Sequence, residues 1–128
     1  MHKSFLIIGA LLAGLAVALG AFGAHGLKKV VPAESVATYG TGVQYQMYHA
    51  LALFMLGILS TRIYNNYISF SGVCFIAGIV LFSGSLYLIV SLHALNKQVP
   101  TPLGMLTPVG GLFFIAGWIL LLLGILKK

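Results

Sequence analysis

The placement of a few charged side chains constrains the fold of this chain more than any other sequence feature. Its 128 residues include seven basic residues and one acidic residue. Between these charges lie four long uncharged stretches, at 4–27, 35–61, 63–96 and 98–126. A helix that crosses a membrane needs about 20 mostly apolar residues. Each stretch can hold one such helix and none can hold two, so the pattern predicts four membrane-spanning helices.

The composition excludes several other classes of protein. Hydrophobic residues make up 60% of the chain and charged residues 6%, whereas soluble domains average about 25% charged residues. A water-soluble domain of this size cannot bury so much apolar surface, because even a domain of about 150 residues leaves roughly 30% of its unfolded surface exposed. Cys74 is the only cysteine and Glu34 the only acid. A disulfide scaffold and a paired-carboxylate site are therefore excluded as well.

The expected fold is all-α: a polytopic membrane protein that forms a four-transmembrane-helix bundle, with residues 1–128 as one integral membrane domain. Lipid-exposed backbone must satisfy its own hydrogen bonds, and no alternating strand pattern occurs, so each span should be helical. Pro32 and Glu34 are typical of a first helical turn, which predicts a short interfacial helix over 32–39. The four spans are predicted at 5–24, 43–60, 68–92 and 108–126.

Turn and capping residues predict how these spans are joined. Asn65 and Asn66 indicate a tight turn, so the second and third spans should form an antiparallel hairpin. Thr107 followed by Pro108 is typical of an N-cap and the first helical residue after it. The connection before that start, Asn96–Thr107, is therefore predicted to be irregular.

The basic residues also bear on orientation. Both termini and the tight turn should share one membrane face, which carries four basic residues, whereas the opposite face carries three. Cytoplasmic loops are enriched in lysine and arginine, so both termini are predicted to be cytoplasmic. The first set is Lys3, Arg62, Lys127 and Lys128, and the second is Lys28, Lys29 and Lys97.

A cleaved signal peptide is the alternative interpretation of the first stretch, because Lys3 precedes an apolar run that ends in small residues. That run is about 20 residues long, whereas the apolar region of a signal peptide usually has about 7–15. The first stretch is therefore expected to be a retained span.

Small residues recur at helical spacing in three of the spans. Lipid provides no hydrophobic driving force for helices to associate, so their packing depends on close backbone approach over small side chains. The stripes fit packing within one bundle, and they equally fit a homo-oligomer, because four helices have too few internal faces to use every stripe. The stripes are Gly9/Ala13, Ala10/Gly14/Ala18 and Ala16/Gly20/Ala24, then Ser71/Gly78/Ser85 and Ala77/Gly84, and finally Gly110/Gly117/Gly124.

Polar residues inside a span are costly in lipid and are therefore the first candidates for function. His49 is the leading candidate, because the charge of a histidine can change near physiological pH. Tyr45 lies four residues earlier on the same helical face, and Gln46 flanks it. Antiparallel threading places His25 and His93 towards the same membrane face as His49.

Three imidazoles at one membrane face could bind a transition metal or relay protons. Their spacing forms no local ligand motif, so a second interpretation stays open. In that interpretation His25 and His93 lie at headgroup level, and His49 bonds to a neighbouring carbonyl. The sequence assigns no metal and no cofactor.

The third span contains a second polar group. Ser83 and Tyr87 lie four residues apart on one face, with Ser85 between them, and they could meet Tyr45 and His49 on the adjacent helix. Alternatively, these hydroxyls bond to carbonyls of their own or a neighbouring helix. The complete candidate cluster for a ligand or proton path is His25, Tyr45, Gln46, His49, Ser83, Ser85, Tyr87 and His93.

Four short motifs carry a resemblance to a known family. They are GAFGAHGL at 20–27, YQMYHALAL at 45–53, FSGSLY at 82–87 and TPVGG at 107–111. Together they resemble the small bacterial inner-membrane proteins grouped as domain of unknown function 423, over essentially the whole chain. The resemblance implies a multi-pass inner-membrane protein with four helices and no established activity. It also implies that every candidate above except His93 is characteristic of the family.

These observations favour a non-enzymatic membrane protein that acts by interaction within the membrane. The alternative is an oligomeric small transporter or channel with His49 on a polar path, and a metal-dependent enzyme comes third. The lipid bilayer is the expected partner, and a small-molecule ligand is not identified. Nucleic acid is excluded, because the basic residues flank the spans on both faces, where they suit anionic headgroups.

Overall fold

The computed structural model describes residues 3–127, of which 87% are helical, and these residues contain no β-strand. The prediction of an all-α fold is therefore confirmed. Lys128, one of the basic residues used to predict the orientation, lies outside the described residues. The elements are α1 (Lys3–His25), a 3₁₀ turn (Leu27–Lys29), α2 (Ala33–Leu59), α3 (Asn66–Gly78), a π-helical turn (Ile79–Ser83), α4 (Gly84–Ala94) and α5 (Thr101–Lys127).

Three helical segments are long and apolar enough to cross a membrane: Lys3–Lys29, Asn66–Ala94 and Thr101–Lys127. The second of these is one continuous rod made of α3, the π turn and α4. Helix α2 has 27 residues, or about 40 Å at 1.5 Å per residue, so its length is sufficient. It falls short in hydropathy, because the polar residues Gln44, Gln46 and His49 interrupt its apolar sequence.

Helix α2 is continuous from Ala33, so the prediction of a separate interfacial helix over 32–39 before a span at 43–60 is wrong. Pro32 occupies the N-cap position, and no further proline interrupts the helix before it ends at Leu59. Gly42 would weaken an isolated helix, but its missing side chain makes room for the ring of Tyr87, because a Cβ there would lie 2.9 Å from that ring.

Helix α5 also begins earlier than the sequence suggested. The predicted N-cap at Thr107 and irregular loop up to that residue are wrong, because the helix starts at Thr101. Pro102 is tolerated there, since the amides of a first helical turn have no helical acceptor. Pro108 lies inside the helix, and its missing N–H leaves the carbonyl of Gly104 without its usual helical donor.

The connection between α2 and α3 agrees with the predicted hairpin. Helix α2 ends at Leu59 and α3 begins at Asn66, with Asn65 as its N-cap. The Asn65 side chain accepts a hydrogen bond from the backbone N–H of Ile68 at 3.2 Å and donates one to the carbonyl of Gly124 in α5 at 3.1 Å. One side chain thus caps α3 and attaches it to the end of α5.

The α3–π–α4 rod and α5 pack as an antiparallel pair with a regular step of seven residues. Gly110, Gly117 and Gly124 of α5 lie against Phe82, Phe75 and Ile68, in that order. In the opposite sense, Gly78 of α3 lies against Phe114. The glycine stripe of α5 and the Ser71/Gly78/Ser85 stripe therefore serve packing within the molecule, as one of the two interpretations predicted.

Helices α1 and α2 form a second antiparallel pair. A Cβ at Gly9 would lie 2.8 Å from the carbonyl oxygen of Ala50, so the two backbones are in direct contact there. Tyr39 packs its ring over Gly23, where a Cβ would be 2.7 Å away. The main hydrophobic core lies where the two pairs meet and is centred on Leu53, Leu56, Ile68 and Phe75.

Candidate functional site

Helix α2 lies between α1 and the pair formed by the α3–π–α4 rod and α5, and it carries two buried polar side chains, Gln46 and His49, that point to different neighbours. Gln46 is 2% exposed and faces α1 and α4. Its Nε2 donates to the carbonyl of Leu12 at 2.8 Å, and its Oε1 accepts from the hydroxyl of Tyr87 at 2.7 Å. Since a carbonyl only accepts and the Tyr87 hydroxyl donates, both ends of the amide are fixed.

Two tyrosines, Tyr39 of α2 and Tyr87 of α4, extend this group of contacts from Gln46 towards the 3₁₀ turn. Tyr39 donates from its hydroxyl to the carbonyl of Leu19 in α1 at 2.8 Å, and its ring lies 5.3 Å from that of Tyr87. The two rings fit because glycines face them, Gly23 for Tyr39 and Gly42 for Tyr87. Hydrogen bonds to backbone carbonyls join α2 to α1, and the bond from Tyr87 to the side-chain amide of Gln46 joins α4 to α2.

The serines of the α3–π–α4 rod also bond across to neighbouring helices. Ser83 is fully buried and donates to the carbonyl of Gly42 at 2.6 Å. The Ser85 hydroxyl donates to the carbonyl of Phe82 in the π turn at 2.9 Å, and its oxygen lies 2.6 Å from the hydroxyl oxygen of Thr107 in α5. Both placements agree with the interpretation of these hydroxyls as bridges between helices. Ser83 meets α2 at Gly42, not at the expected surface of Tyr45 and His49.

His49 lies on the other face of α2, towards α5, and is 4% exposed. Its Nδ1 is 2.8 Å from the carbonyl of Tyr45, and its Nε2 is 3.1 Å from the indole Nε1 of Trp118. A carbonyl can only accept and an indole N–H can only donate. This pattern requires a neutral imidazole with its proton on Nδ1. The ring also stacks on Phe114, with centroids 3.6 Å apart and planes within 8°.

A groove of about 470 Å³ opens beside His49, between α2 and α5. Its lining is mostly apolar, with Phe82, Leu112 and Ile115 among the residues that line it. Tyr45 borders it and is 38% exposed. Trp118 forms part of the wall, so the groove reaches the His49–Trp118 hydrogen bond.

Two interruptions of regular helix lie next to this groove. The π turn Ile79–Ser83 packs its Phe82 backbone against Gly110, and Pro108 lies two residues before that glycine. Single π turns inside α-helices occur frequently at functional sites. Here the π turn lies opposite Pro108, in the part of the molecule where α2, the α3–π–α4 rod and α5 meet.

His25 and His93 lie apart from His49 and from each other. His25 is exposed, and its Nδ1 is 2.9 Å from the carbonyl of Ala21 in its own helix. His93 lies near the end of α4, with its Nδ1 at 3.3 Å from the Ser35 hydroxyl. Within residues 3–127, no three histidine, cysteine or acidic side chains are grouped so that they could hold a metal ion. The hypothesis of a three-histidine centre is therefore wrong.

The eight candidate residues thus form separate hydrogen-bonded groups and do not surround one polar cavity. Gln46, Tyr87 and Ser83 line the face of α2 towards α1 and α4, whereas Tyr45 and His49 lie towards α5. Every buried side-chain nitrogen or oxygen among the described residues has a hydrogen-bond partner. Convergence on a solvent-filled pocket, which would favour transport or ligand binding, is not what the structure shows for this set.

Sequence reasoning missed the partners of His49. Trp118 is the only tryptophan of the chain, and it lies in the middle of α5, whereas tryptophans of membrane proteins are enriched at the two interfaces. That unusual position was a signal that its indole N–H bonds to another helix. The stacking partner Phe114 carried no comparable signal, because phenylalanine is ordinary inside an apolar span.

Fold and composition together define an all-helical membrane protein. A model of the family described as protein of unknown function (DUF423) matches residues 19–111. This chain belongs to that family, as its motifs indicated.

Curated relatives agree with this assignment. The chain is 44% identical to the UPF0382 membrane protein YwdK of Bacillus subtilis over 126 residues, 98% of each chain. It is 39% identical to the UPF0382 inner membrane protein YgdD of Escherichia coli, covering 99% of this chain and 93% of that one. The UPF0382 membrane protein of Haemophilus influenzae is 37% identical over 100% and 98%. No solved structure matches the chain.

Proposed function

We propose that the protein is a non-enzymatic bundle of four transmembrane helices that acts by interaction within the bacterial inner membrane. One observation carries this proposal: the buried polar side chains are used to join helices, and none of those described lacks a partner. A catalytic or transport site needs polar groups that face a substrate. Gln46, Tyr39 and Ser83 instead face backbone carbonyls of neighbouring helices.

The fourth span of this proposal is α2. Its side chains Gln46 and His49 are buried against protein, which is how polar groups are tolerated in membrane helices, and its length exceeds the roughly 30 Å of a hydrocarbon core. The proposed orientation places the turn at 60–65 in the cytoplasm and the connections at 26–32 and 95–100 on the other side.

Single cysteines test this topology in intact cells once Cys74 has been replaced by alanine. Cysteines at Lys29 and Asn96 should react with a membrane-impermeant maleimide, whereas a cysteine at Arg62 should react only after the membrane is permeabilised. Equal labelling of Lys29 and Arg62 from outside would contradict a spanning α2. Labelling of Arg62 alone would reverse the orientation and leave the four spans intact.

The same proposal includes a homo-oligomer formed through the outer face of α1. The stripe of Ala10, Gly14 and Ala18 is exposed, and a Cβ at Gly14 would have nothing within 4 Å. Small residues at four-residue spacing let helices approach closely in lipid. Because Gly78, Gly110, Gly117 and Gly124 pack against neighbouring helices within the molecule, the stripe on α1 is the exposed one that we assign to a second copy.

The oligomer is tested by crosslinking in native membranes and by mass measurement in mild detergent. The wild type should be oligomeric, and Gly14→Leu should convert it to a monomer of unchanged helix content. Gly104→Leu is the matched control, because Gly104 is also exposed with open space at its Cβ. A strictly monomeric wild type with no crosslinked partner would contradict the proposal.

A specific observation also supports the alternative, a small oligomeric transporter with His49 on its path. The groove of about 470 Å³ reaches the His49–Trp118 bond next to the π turn. Fluxes of protons, metal ions and small cations into liposomes should then be lower for His49→Ala than for the wild type. Identical flux for both proteins would remove His49 from any transport mechanism.

A further inference from the structure

A second cavity, of about 460 Å³, lies at one end of the bundle between the start of α2 and the end of α4. It is separate from the groove beside His49, and its lining is rich in polar and charged groups. The residues that matter for its chemistry are Glu34, Ser35, Thr38, His93, Asn96 and Lys97. The cavity lies where α2 begins and α4 ends, and on the proposed four-span topology this is the level of the lipid headgroups.

The cavity holds charges of both signs. Glu34 is the only acidic residue in the whole chain, and it lines the same cavity as Lys97. In the part of the chain that the structure describes, no ion pair joins the two side chains. Oppositely charged groups that share a cavity without neutralising each other are complementary to a ligand that carries both charges.

Backbone geometry fixes the position of the cationic side. Asn96 has φ of 57°, in the left-handed region where asparagine is among the favoured residues. The amide of Lys97 donates to the carbonyl of Leu92 at 2.8 Å, and that of Asn96 to the carbonyl of His93 at 3.1 Å. These two bonds form a Schellman motif, so Lys97 leaves the helix at a defined point beside the cavity.

His93 adds an imidazole on this side, which donates from Nε2 when the Ser35 hydroxyl donates to Nδ1. Its Nδ1 is engaged by Ser35, whose side chain is buried, so Nε2 is the ring nitrogen available to a ligand. A lysine ammonium is an established binder of phosphate. Lys97 and His93 together therefore suit a phosphate group.

The anionic side distinguishes between kinds of cation. A primary ammonium has three N–H donors, which the carboxylate of Glu34 and the hydroxyl oxygen of Thr38 can accept. A quaternary ammonium such as choline is instead recognised by the rings of tryptophan, tyrosine or phenylalanine, and none of these is among the described residues that line the cavity. We propose that this cavity binds a phosphate ester with a primary ammonium, the chemistry of a phosphatidylethanolamine headgroup. The site does not depend on whether the bundle forms oligomers.

The experiment offers the purified full-length protein an equimolar mixture of phosphatidylethanolamine, phosphatidylcholine and phosphatidylglycerol with identical acyl chains. Native mass spectrometry then measures which lipid is retained. The wild type should retain phosphatidylethanolamine about threefold more than either other lipid, which corresponds to the modest energy of an exposed charge pair. Equal retention of all three lipids would overturn the proposal.

Two variants assign the two ends of the ligand. Glu34→Gln should abolish the preference for phosphatidylethanolamine over phosphatidylcholine, and Lys97→Gln should lower retention of phosphatidylethanolamine and phosphatidylglycerol together. Lys28→Gln is the matched control, since Lys28 is exposed at the same end but does not line the cavity. All three residues are exposed, so the variants should fold. A Glu34→Gln protein that keeps the full preference would overturn the assignment.

Glycerophosphoethanolamine, which carries the headgroup without acyl chains, identifies the source of the ligand. If it competes with the lipid at millimolar concentration, the cavity recognises the headgroup without the acyl chains and also binds a soluble ester. If the lipid is retained and the soluble ester does not compete, the membrane is the source. If neither the lipid nor the ester depends on Glu34, the proposal fails.

Discussion

The two polar faces of α2 differ in the partners they use. Towards α1 and α4, Gln46 bonds to the backbone carbonyl of Leu12 and to the hydroxyl of Tyr87, whose ring lies against Gly42. Towards α5, His49 bonds through Nε2 to a side chain, Trp118, which also borders an open groove. A carbonyl within a helix cannot move without the helix, whereas a tryptophan can leave by changing rotamer. The Gln46 face is thus built for fixed attachment and the His49 face for local change.

The largest effect should come from the backbone contact behind the Gln46 face. Gly9→Ala places a methyl group within 3 Å of the α2 backbone, so the two helices must separate. We expect a loss of about 2 kcal/mol in the free energy of unfolding, the usual range for overpacking. SDS-induced unfolding in mixed micelles measures it. Gly104→Ala, at an exposed glycine with open space at its Cβ, is the control, and an equal loss for both would show that the contact is not tight.

The next effect tests the amide itself. Gln46→Leu leaves the carbonyl of Leu12 and the hydroxyl of Tyr87 without their partner. We expect a loss of about 1 kcal/mol in the free energy of unfolding, because hydrogen bonds between membrane helices average about 0.6 kcal/mol and two are removed. Tyr87→Phe, which removes one of the two, should cost about half as much. Equal losses for the two variants would mean that the bond to Leu12 contributes nothing.

The smallest effect on stability is expected at His49, on the side of α2 towards α5. His49→Phe keeps an aromatic ring on Phe114 and removes the acceptor of Trp118, so the free energy of unfolding should change by less than about 0.6 kcal/mol. The informative readout is fluorescence, because Trp118 is the only tryptophan. Its emission should shift to shorter wavelength as the indole N–H loses its polar partner. Gln46→Leu should leave the emission unchanged, and an equal shift in both variants would contradict the separation of the two faces.

The sequence predicted those parts of the fold that depend on single residues and regular spacing. Charge positions located the helices, and the seven-residue spacing of Gly110, Gly117 and Gly124 anticipated a packed stripe. The start of α5 was misplaced, because a proline such as Pro108 inside a membrane helix can be tolerated when neighbouring helices compensate. That compensation is a property of the packed molecule and is absent from the local sequence.

The candidate site likewise combines features that the local sequence predicts with features that only the packed molecule determines. The cost of polar groups in lipid singled out Gln46, His49 and Ser83 as candidates for function, and the structure gives each of them a hydrogen-bond partner. It could not identify those partners, because they depend on the rotation of each helix about its axis. Leu12 and Leu19 contribute only backbone carbonyls, which no side-chain pattern reveals. The cavity at Glu34 and Lys97 was missed for a related reason, since its two sides are 63 residues apart in the sequence and only the fold joins them.

The hydrogen bond from Gln46 to Leu12 also bears on how the chain enters the membrane. On the proposed four-span topology, α2 is the segment least able to partition into lipid alone, and it is synthesised directly after α1. The exposed amide of Gln46 would be costly in hydrocarbon, but α1 already offers it a carbonyl. The two helices are therefore expected to leave the translocon as a hairpin, which makes α1 an intramolecular chaperone for α2 during biogenesis.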